Sequence, residues 1–307
     1  MEQKLALILK HFQAPELAAP YLEYLLTEDE FRFVTAVECD QEFQKEEIAE
    51  ILGKNIDVNA FVEEAYRHGV ISYTDESITS YKLGDFYDFL DIYAISQQER
   101  YRALPKKDQK ILADWAFDTY YSRLNPDLTV RPSNDEVLPL EEMLALIEER
   151  KDMPVYLNYC DCKSLNGDCG KPKQVCITYR DGVNSYVHRG LSKKITAEEA
   201  KQVVIEADKA GLMHTISGMS ICNCCDDCCY VFRSQQRRGS LGFWPKTEHI
   251  ISWNGKKCVH CGLCVRRCMM NVFAKSGDRI TIDTTKCVGC GICATACPKK
   301  ALELVKR

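Results

Sequence analysis

Two runs of cysteine constrain this 307-residue chain more than any other feature. The first reads Cys258-x₂-Cys261-x₂-Cys264-x₃-Cys268; after an 18-residue spacer the second reads Cys287-x₂-Cys290-x₂-Cys293-x₃-Cys297-Pro298. Eight thiols at this repeated spacing suit two cubane iron–sulfur clusters. Three cysteines on a tight loop reach three irons of one cube, and the fourth, on the turn that follows, reaches across to the other. By that rule cluster I uses Cys258, Cys261, Cys264 and Cys297, and cluster II uses Cys287, Cys290, Cys293 and Cys268. Gly262, Gly289 and Gly291 let the backbone curl closely around a cofactor and aim amide N–H groups at sulfur. Residues 271–273 and 279–282, either side of Ser276-Gly277-Asp278, predict a hairpin that covers one cube. Zinc knuckles or a disulfide scaffold fit less well, because zinc sites rarely repeat four cysteines at this spacing.

The segment resembles the bacterial two-cluster ferredoxins over roughly residues 250–307. Met269 departs from that family's pattern, which usually has proline after the fourth cysteine of the first run. The departure touches the local turn and leaves the eight thiols in place.

Hydrophobic residues make up 46% and charged residues 28%, the balance of an ordinary globular chain able to bury two or three cores. No apolar run reaches membrane-spanning length, and the opening MEQKLALILKHF lacks a signal-peptide core, so the expected location is cytoplasmic. Eighteen cysteines without a secretion signal point to metal rather than disulfides, and such a load suits an anaerobe. The net charge of −5 conceals a polarity: residues 1–100 carry 8 basic against 21 acidic side chains, and residues 230–307 carry 15 against 4. Such asymmetry steers an acidic redox partner to the basic end, docks one end on the other, or leaves two separately solvated faces.

Residues 1–26, rich in leucine and broken by Pro15 and Pro20, read as two short packing helices. Thr27-Glu28-Asp29-Glu30 caps a helix carrying Phe31, Phe33, Val34 and Val37. Lys45–Leu52, closed by Gly53, and Val58–His68, closed by Gly69, are two more. Residues 70–73 and 78–83 alternate like a hairpin. This order resembles a winged helix-turn-helix domain over roughly residues 27–90, which implies DNA binding. The would-be recognition helix opposes it, holding Asp57, Glu63 and Glu64 against Arg67 alone. Nucleic-acid affinity comes mostly from cations on phosphates, so the domain is read as a protein-docking module with no nucleic-acid partner. Cys39, beside Val37, is expected as a small core residue. Helices are expected over 93–102 and 106–123, followed by a linker around Arg131-Pro132-Ser133-Asn134 and a helix from Leu138-Pro139-Leu140-Glu141-Glu142 to about Lys151.

A second group of nine cysteines fills the middle: Cys160-x-Cys162-x₆-Cys169-x₆-Cys176, then Cys222, Cys224, Cys225, Cys228 and Cys229. A strand over 155–157 precedes the first half, a hairpin over 180–189 turning at Asp181-Gly182 follows it, and a helix from the capping box Thr196-Ala197-Glu198-Glu199 to Lys209 separates it from the second; this strand–hairpin–helix unit brings the two halves together in space. The adjacent pairs Cys224-Cys225 and Cys228-Cys229 cannot all face one metal, so each pair is divided between two sites or keeps one member in the core. With Pro172 and Ile221–Cys225, the pattern resembles a family of uncharacterised cysteine-rich proteins found with ferredoxin domains. That resemblance implies metal binding and no particular reaction. One or two further [4Fe-4S] clusters, a structural Cys₄ zinc site, a site completed by a partner subunit and free thiols all remain open. His188, His214 and His260 are candidates to ligate or tune a cluster, and Arg233, Arg237 and Arg238 read as a solvated basic face. No phosphate-cradling glycine loop, dinucleotide fingerprint or Ser-His-Asp order appears.

The expected architecture is α+β in four stretches: an acidic winged-helix-like domain (1–95), a helical connector (96–150), a cysteine-rich α/β metal domain (151–245) and a two-cluster ferredoxin-like domain (246–307). The expected function is relay of single electrons to or from a partner oxidoreductase in an anaerobic pathway. A reductase or reductive activator with a substrate-accessible cluster, and an Fe–S-responsive transcription regulator, are the alternatives.

Overall fold

The computed structural model describes residues 2–38, 41–53, 55–167 and 169–307. Cys39, expected in the core, lies outside the described residues. The chain is α+β and packs as two compact units: residues 1–119, 164–167 and 181–192 form one, and residues 120–163, 168–180 and 193–307 form the other.

The first unit opens with α1 (Glu2–His11), a 3₁₀ turn (Glu16–Tyr21), α2 (Leu22–Leu25) and α3 (Glu28–Ala36). A reciprocal capping box starts α3. Thr27 Oγ1 accepts from the Glu30 amide at 3.2 Å, and the Glu30 carboxylate accepts from the Thr27 amide at 2.8 Å. Two of the donors that a helix start leaves unpaired are thereby satisfied. Next come β1 (Glu42–Phe43), α4 (Lys45–Leu52), α5 (Val58–His68), β2 (Ile71–Tyr73) and β3 (Tyr81–Leu83). The strands form an antiparallel sheet in the order β1-β3-β2. Phe33 binds it to the helices, meeting Phe43 and Phe61 edge-on at 5.1 and 5.4 Å.

Helices α6 (Phe86–Ser96), α7 (Gln98–Ala103) and α8 (Lys106–Ser122) follow. The helix expected over 93–102 thus starts earlier and is split. Asp85 caps it, its carboxylate accepting from the Asp88 amide at 2.7 Å, and Phe86, Phe89 and Leu90 bury its first turns. A second correction concerns residues 180–189, where a hairpin was expected: 182–190 run as consecutive turns with no strand. Amides here bond within the turns, as Arg189 N–H does to the Ser185 carbonyl, and the side chains of Asn184 and Arg189 reach out to α5 and β2. The Arg189 guanidinium lies over the Tyr66 ring at 4.3 Å and donates to the Tyr66 and Ile71 carbonyls and to Ser72 Oγ.

The second unit contains β4 (Glu136–Val137), α9 (Leu140–Glu149), β5 (Val155–Tyr159) and the first turn of α10 (Asp161–Asn166). It continues with β6 (Gln174–Thr178), β7 (Lys193–Ile195), α11 (Ala197–Ala210), β8 (Met213–Ser217), β9 (Ser220–Cys224), α12 (Tyr230–Arg238) and β10 (Lys246–Thr247). Seven strands make one sheet in the order β10-β4-β8-β9-β6-β5-β7, antiparallel except for the β10/β4 pair. Helices α9 and α11 cover one face, where Met143, Ile147, Val155, Ile177, Val204 and Ile221 are buried. Each such side chain contributes about 1.5–3 kcal/mol of burial.

The C-terminal stretch adds β11 (His249–Trp253), α13 (Leu263–Arg267), β12 (Phe273–Ser276), β13 (Arg279–Ile282), α14 (Ile292–Thr295) and β14 (Leu302–Lys306). Strands β11 and β14 pair antiparallel, as do β12 and β13. Arg267 pins α13 to the end of α11 by donating to the carbonyls of Asp208 and Lys209, where the helix dipole favours a cation. The basic run on α12 is solvated only in part, Arg237 being exposed and Arg233 half-buried. Arg238 is buried and donates to the carbonyls of Asn125 and Asp127, and Arg237 lies 4.2 Å over the Tyr121 ring.

Candidate metal centres

Each C-terminal cysteine run enters a short helix immediately after its loop, α13 from Gly262 and α14 from Gly291, and the thiols gather around two cavities. The first cavity, with an empty volume of about 430 Å³, is lined by Cys258, Cys261, Cys264 and Cys297 together with Trp253, Phe273, Ile280 and Ile282. The second, of about 280 Å³, is lined by Cys268, Cys287, Cys290 and Cys293 among Ile251, Val272, Val288 and Leu304. Each cavity therefore takes three thiols from one run and its fourth from the other. The β12–β13 hairpin walls the first cavity through Phe273, Ile280 and Ile282.

Main-chain amides already point at these sulfurs. His260 N–H donates to Cys258 Sγ at 3.4 Å, Gly289 N–H to Cys287 Sγ at 3.4 Å, and Ala301 N–H to Cys297 Sγ at 3.3 Å. Such bonds favour the thiolate over the thiol. Burial works in the opposite direction: it raises the thiols of Cys264, Cys268 and Cys293 and pushes Cys290 up to about 12. A cationic centre among four such groups repays that cost by holding them deprotonated. The donor set and the space between its members both fit a cube at each cavity.

The nine central cysteines divide into two groups. Six lie where β5, β6, β9, α10 and α12 converge. Cys162 donates to Cys160, and Cys160 to Cys176; from the other side Cys229 donates to Cys224 at 3.3 Å, Cys224 to Cys222, and Cys222 to Cys176. Cys176 receives from both directions and is held well below the usual thiol range. The sheet sets this up. The β6/β9 pairing puts Ile177 opposite Ile221, so Cys176 and Cys222 come next in the ladder, and Cys222 and Cys224 share a strand face. Lys163 is buried beside them and donates to the Asn223 carbonyl at 2.6 Å. Burial works against its charge, but the thiols of Cys160, Cys176, Cys224 and Cys225 outweigh it and raise its pKa.

The other three thiols, Cys169, Cys225 and Cys228, stand with the Asp227 carboxylate, all four ligand atoms within 4.8 Å of one another. Cys225 and Cys228 both donate to Cys169, which the Lys171 amide also supports. The pairs Cys224-Cys225 and Cys228-Cys229 are thus each divided between the two groups.

The rings of the three candidate histidines have partners other than the cysteines. His188 Nδ1 is 2.6 Å from Tyr66 Oη in the first unit, and His214 Nδ1 is 2.6 Å from Asn223 Oδ1 in the sheet. His260 accepts from the Ile280 amide at 3.2 Å, which ties the first cysteine loop to the hairpin. Sequence reasoning missed Lys163 and Asp227, although each sits directly beside a cysteine in its motif. It also missed the contact of Met269, whose side chain packs against the apolar groups around Cys225 and Cys228 and around Cys224 and Cys229.

Two thiol-lined cavities on a short double-stranded framework define an iron–sulfur class of site. A protein family described as the 4Fe-4S dicluster domain matches residues 257–301, the stretch that carries all eight of these cysteines. No curated protein and no solved structure matches the chain. The match supports 4Fe-4S binding and an iron–sulfur electron-transfer role.

Proposed function

We propose that this protein is an electron carrier, or the electron-transfer subunit of a larger oxidoreductase, working in a reducing, oxygen-poor cytoplasm. The observation that carries the reading is the crossed lining of the two cavities. Cys258, Cys261, Cys264 and Cys297 would hold one [4Fe-4S] cube, and Cys268, Cys287, Cys290 and Cys293 the second. A cube bound in either place accepts and releases one electron at a time. The amides of His260, Gly289 and Ala301 favour added negative charge by donating to the ligand sulfurs.

The first cavity is the port. Cys261 and Val259 are exposed there and exposed Lys299 lines it, with exposed Lys256, Lys257 and Lys300 next to its lining residues in the chain, whereas Cys287 and Cys293 in the second cavity are buried. This local excess of lysine favours an acidic partner and speeds its arrival at low salt. The six-thiol group extends the relay inward. Cys224 and Cys229 pack in one apolar cluster with Val288 and Ile292, and Cys222 and Cys290 border the same cluster. The acidic helical unit serves protein docking and not nucleic-acid binding.

The test is iron and acid-labile sulfide in full-length protein prepared without oxygen, followed by stoichiometric reduction. At least about eight irons and eight sulfides per chain, with reversible bleaching near 400 nm, are expected from two cubes. Colourless protein that takes up no electrons would refute the reading.

A further inference from the structure

We infer that Cys169, Cys225, Cys228 and Asp227 form a site for a single tetrahedral metal ion of the zinc class, separate from every iron–sulfur site. The spacing of the ligand atoms decides it. All four lie within 4.8 Å of one another. With zinc–sulfur bonds of about 2.3 Å, a tetrahedral site places its ligands about 3.8 Å apart. A cube must insert four irons and four sulfides between its thiols, and the eight C-terminal cysteines line two cavities without standing in any such close group among the described residues. Cys169, Cys225 and Cys228 leave no such room, since all three sulfurs and the Asp227 carboxylate stand within 4.8 Å of one another.

Local structure agrees. Cys225-Asp226-Asp227-Cys228 is the turn between β9 and α12, a Cys-x₂-Cys knuckle that presents two thiols on one side of a tight bend. Cys169 comes from the loop ahead of β6. Val175, Ala207 and Leu212 wall the site with apolar surface, Met269 closes over it, and Asp227 is exposed on the open side. A dry wall strengthens thiolate–metal attraction, and the exposed carboxylate supplies the fourth ligand. The consequence is structural. The residues flanking this knuckle, Cys224 and Cys229, belong to the six-thiol group, so an ion gripping Cys225 and Cys228 fixes the turn from which the inner thiols project.

The inference does not depend on electron transfer, because it is read from zinc and the relay is read from iron. Zinc and iron are counted together in full-length protein purified anaerobically. One zinc per chain is expected in the wild type. Cys228→Ser should lose it while the iron attributed to the C-terminal cavities stays, and Cys222→Ser should keep it. Asp227→Asn, a surface change compatible with folding, should weaken zinc retention against a chromophoric chelator by at least about tenfold with iron unchanged. Cobalt in place of zinc should give the intense visible bands of a tetrahedral thiolate site, shifted in Asp227→Asn. Protein without zinc, zinc lost in Cys222→Ser but kept in Cys228→Ser, or cobalt bands indifferent to Asp227→Asn would each overturn the assignment.

Discussion

The Cys229 thiol donates to Cys224 across 3.3 Å, and the two residues between which that bond runs bracket a turn whose own cysteines face another way. Nine consecutive residues from Ile221 to Cys229 thereby serve two thiol groups at once. Strand alternation separates Cys222 and Cys224 from their neighbours, and the turn reverses the chain so that Cys229 returns to the strand's side.

The tightest backbone approach in the C-terminal stretch is at Gly289. Its φ is +68°, and a Cβ there would fall 2.3 Å from the His249 carbonyl oxygen and 2.5 Å from Thr247 Oγ1. Neither the strand carbonyl nor the hydroxyl, itself bound to the Val288 carbonyl at 2.8 Å, has room to retreat. Gly289→Ala is expected to open the second cavity and remove about four irons per chain while the first cavity keeps its cube. Iron analysis with EPR of the reduced protein distinguishes loss of one cube from loss of both.

Lys163 places an ammonium among the thiols of the six-membered group. Lys163→Met should leave that group more negative and the Asn223 carbonyl without its donor, at a cost on the order of 1–3 kcal/mol. The expected readouts are a lower denaturant midpoint and, for any cofactor held by those thiols, a more negative reduction potential. An unchanged midpoint and potential would show the ammonium to be idle.

Arg189 binds the turns of residues 182–190 to α5 and β2 through two carbonyls and a hydroxyl. Arg189→Ala strands those acceptors in a buried place and should cost about 2–4 kcal/mol of stability, without altering iron or zinc. Chemical denaturation followed by far-UV circular dichroism measures it.

Glu30 carries the acid sensitivity of the first unit. Burial raises its carboxyl, but the His68 ring at 2.9 Å and the bonds from Thr27 outweigh that and hold it below the ordinary glutamate value of 4.5. A carboxylate depressed on folding contributes stability that is complete above pH about 4.5 and is lost as pH falls through the lower folded value. Glu30→Gln should therefore flatten the acid limb of a stability–pH curve and lower stability at neutral pH. A wild-type curve that stays flat from pH 6 to about 2 would contradict this.

Local signals in the sequence were the most legible. Thr27 and Thr196 mark helix starts because a cap is decided within four residues, and α4 and α5 follow from periodicity closed by glycine. The C-terminal cysteines read clearly because each loop and its following turn lie within one short motif. The central thiols did not. Which of nine cysteines meet depends on β6 lying beside β9 and on the β9–α12 turn, contacts made across tens of residues that no local spacing encodes. The same reason defeated the expected hairpin over 180–189. Asp181-Gly182 looks like a hairpin turn, but the partner of Arg189 is the carbonyl end of α5, more than a hundred residues earlier. Arg238, similarly, is claimed by the Asn125 and Asp127 carbonyls.

In the proposed function the two C-terminal runs exchange their fourth cysteines to hold a pair of cubes. Iron and labile sulfide in anaerobically purified Cys290→Ser, compared with wild type, test it most directly. A loss of up to about four irons and four sulfides is expected, or conversion of one cube to an altered EPR signal, with the cube of Cys258, Cys261, Cys264 and Cys297 intact. Wild-type iron, sulfide and spectra in Cys290→Ser, or a wild type without iron, would contradict it.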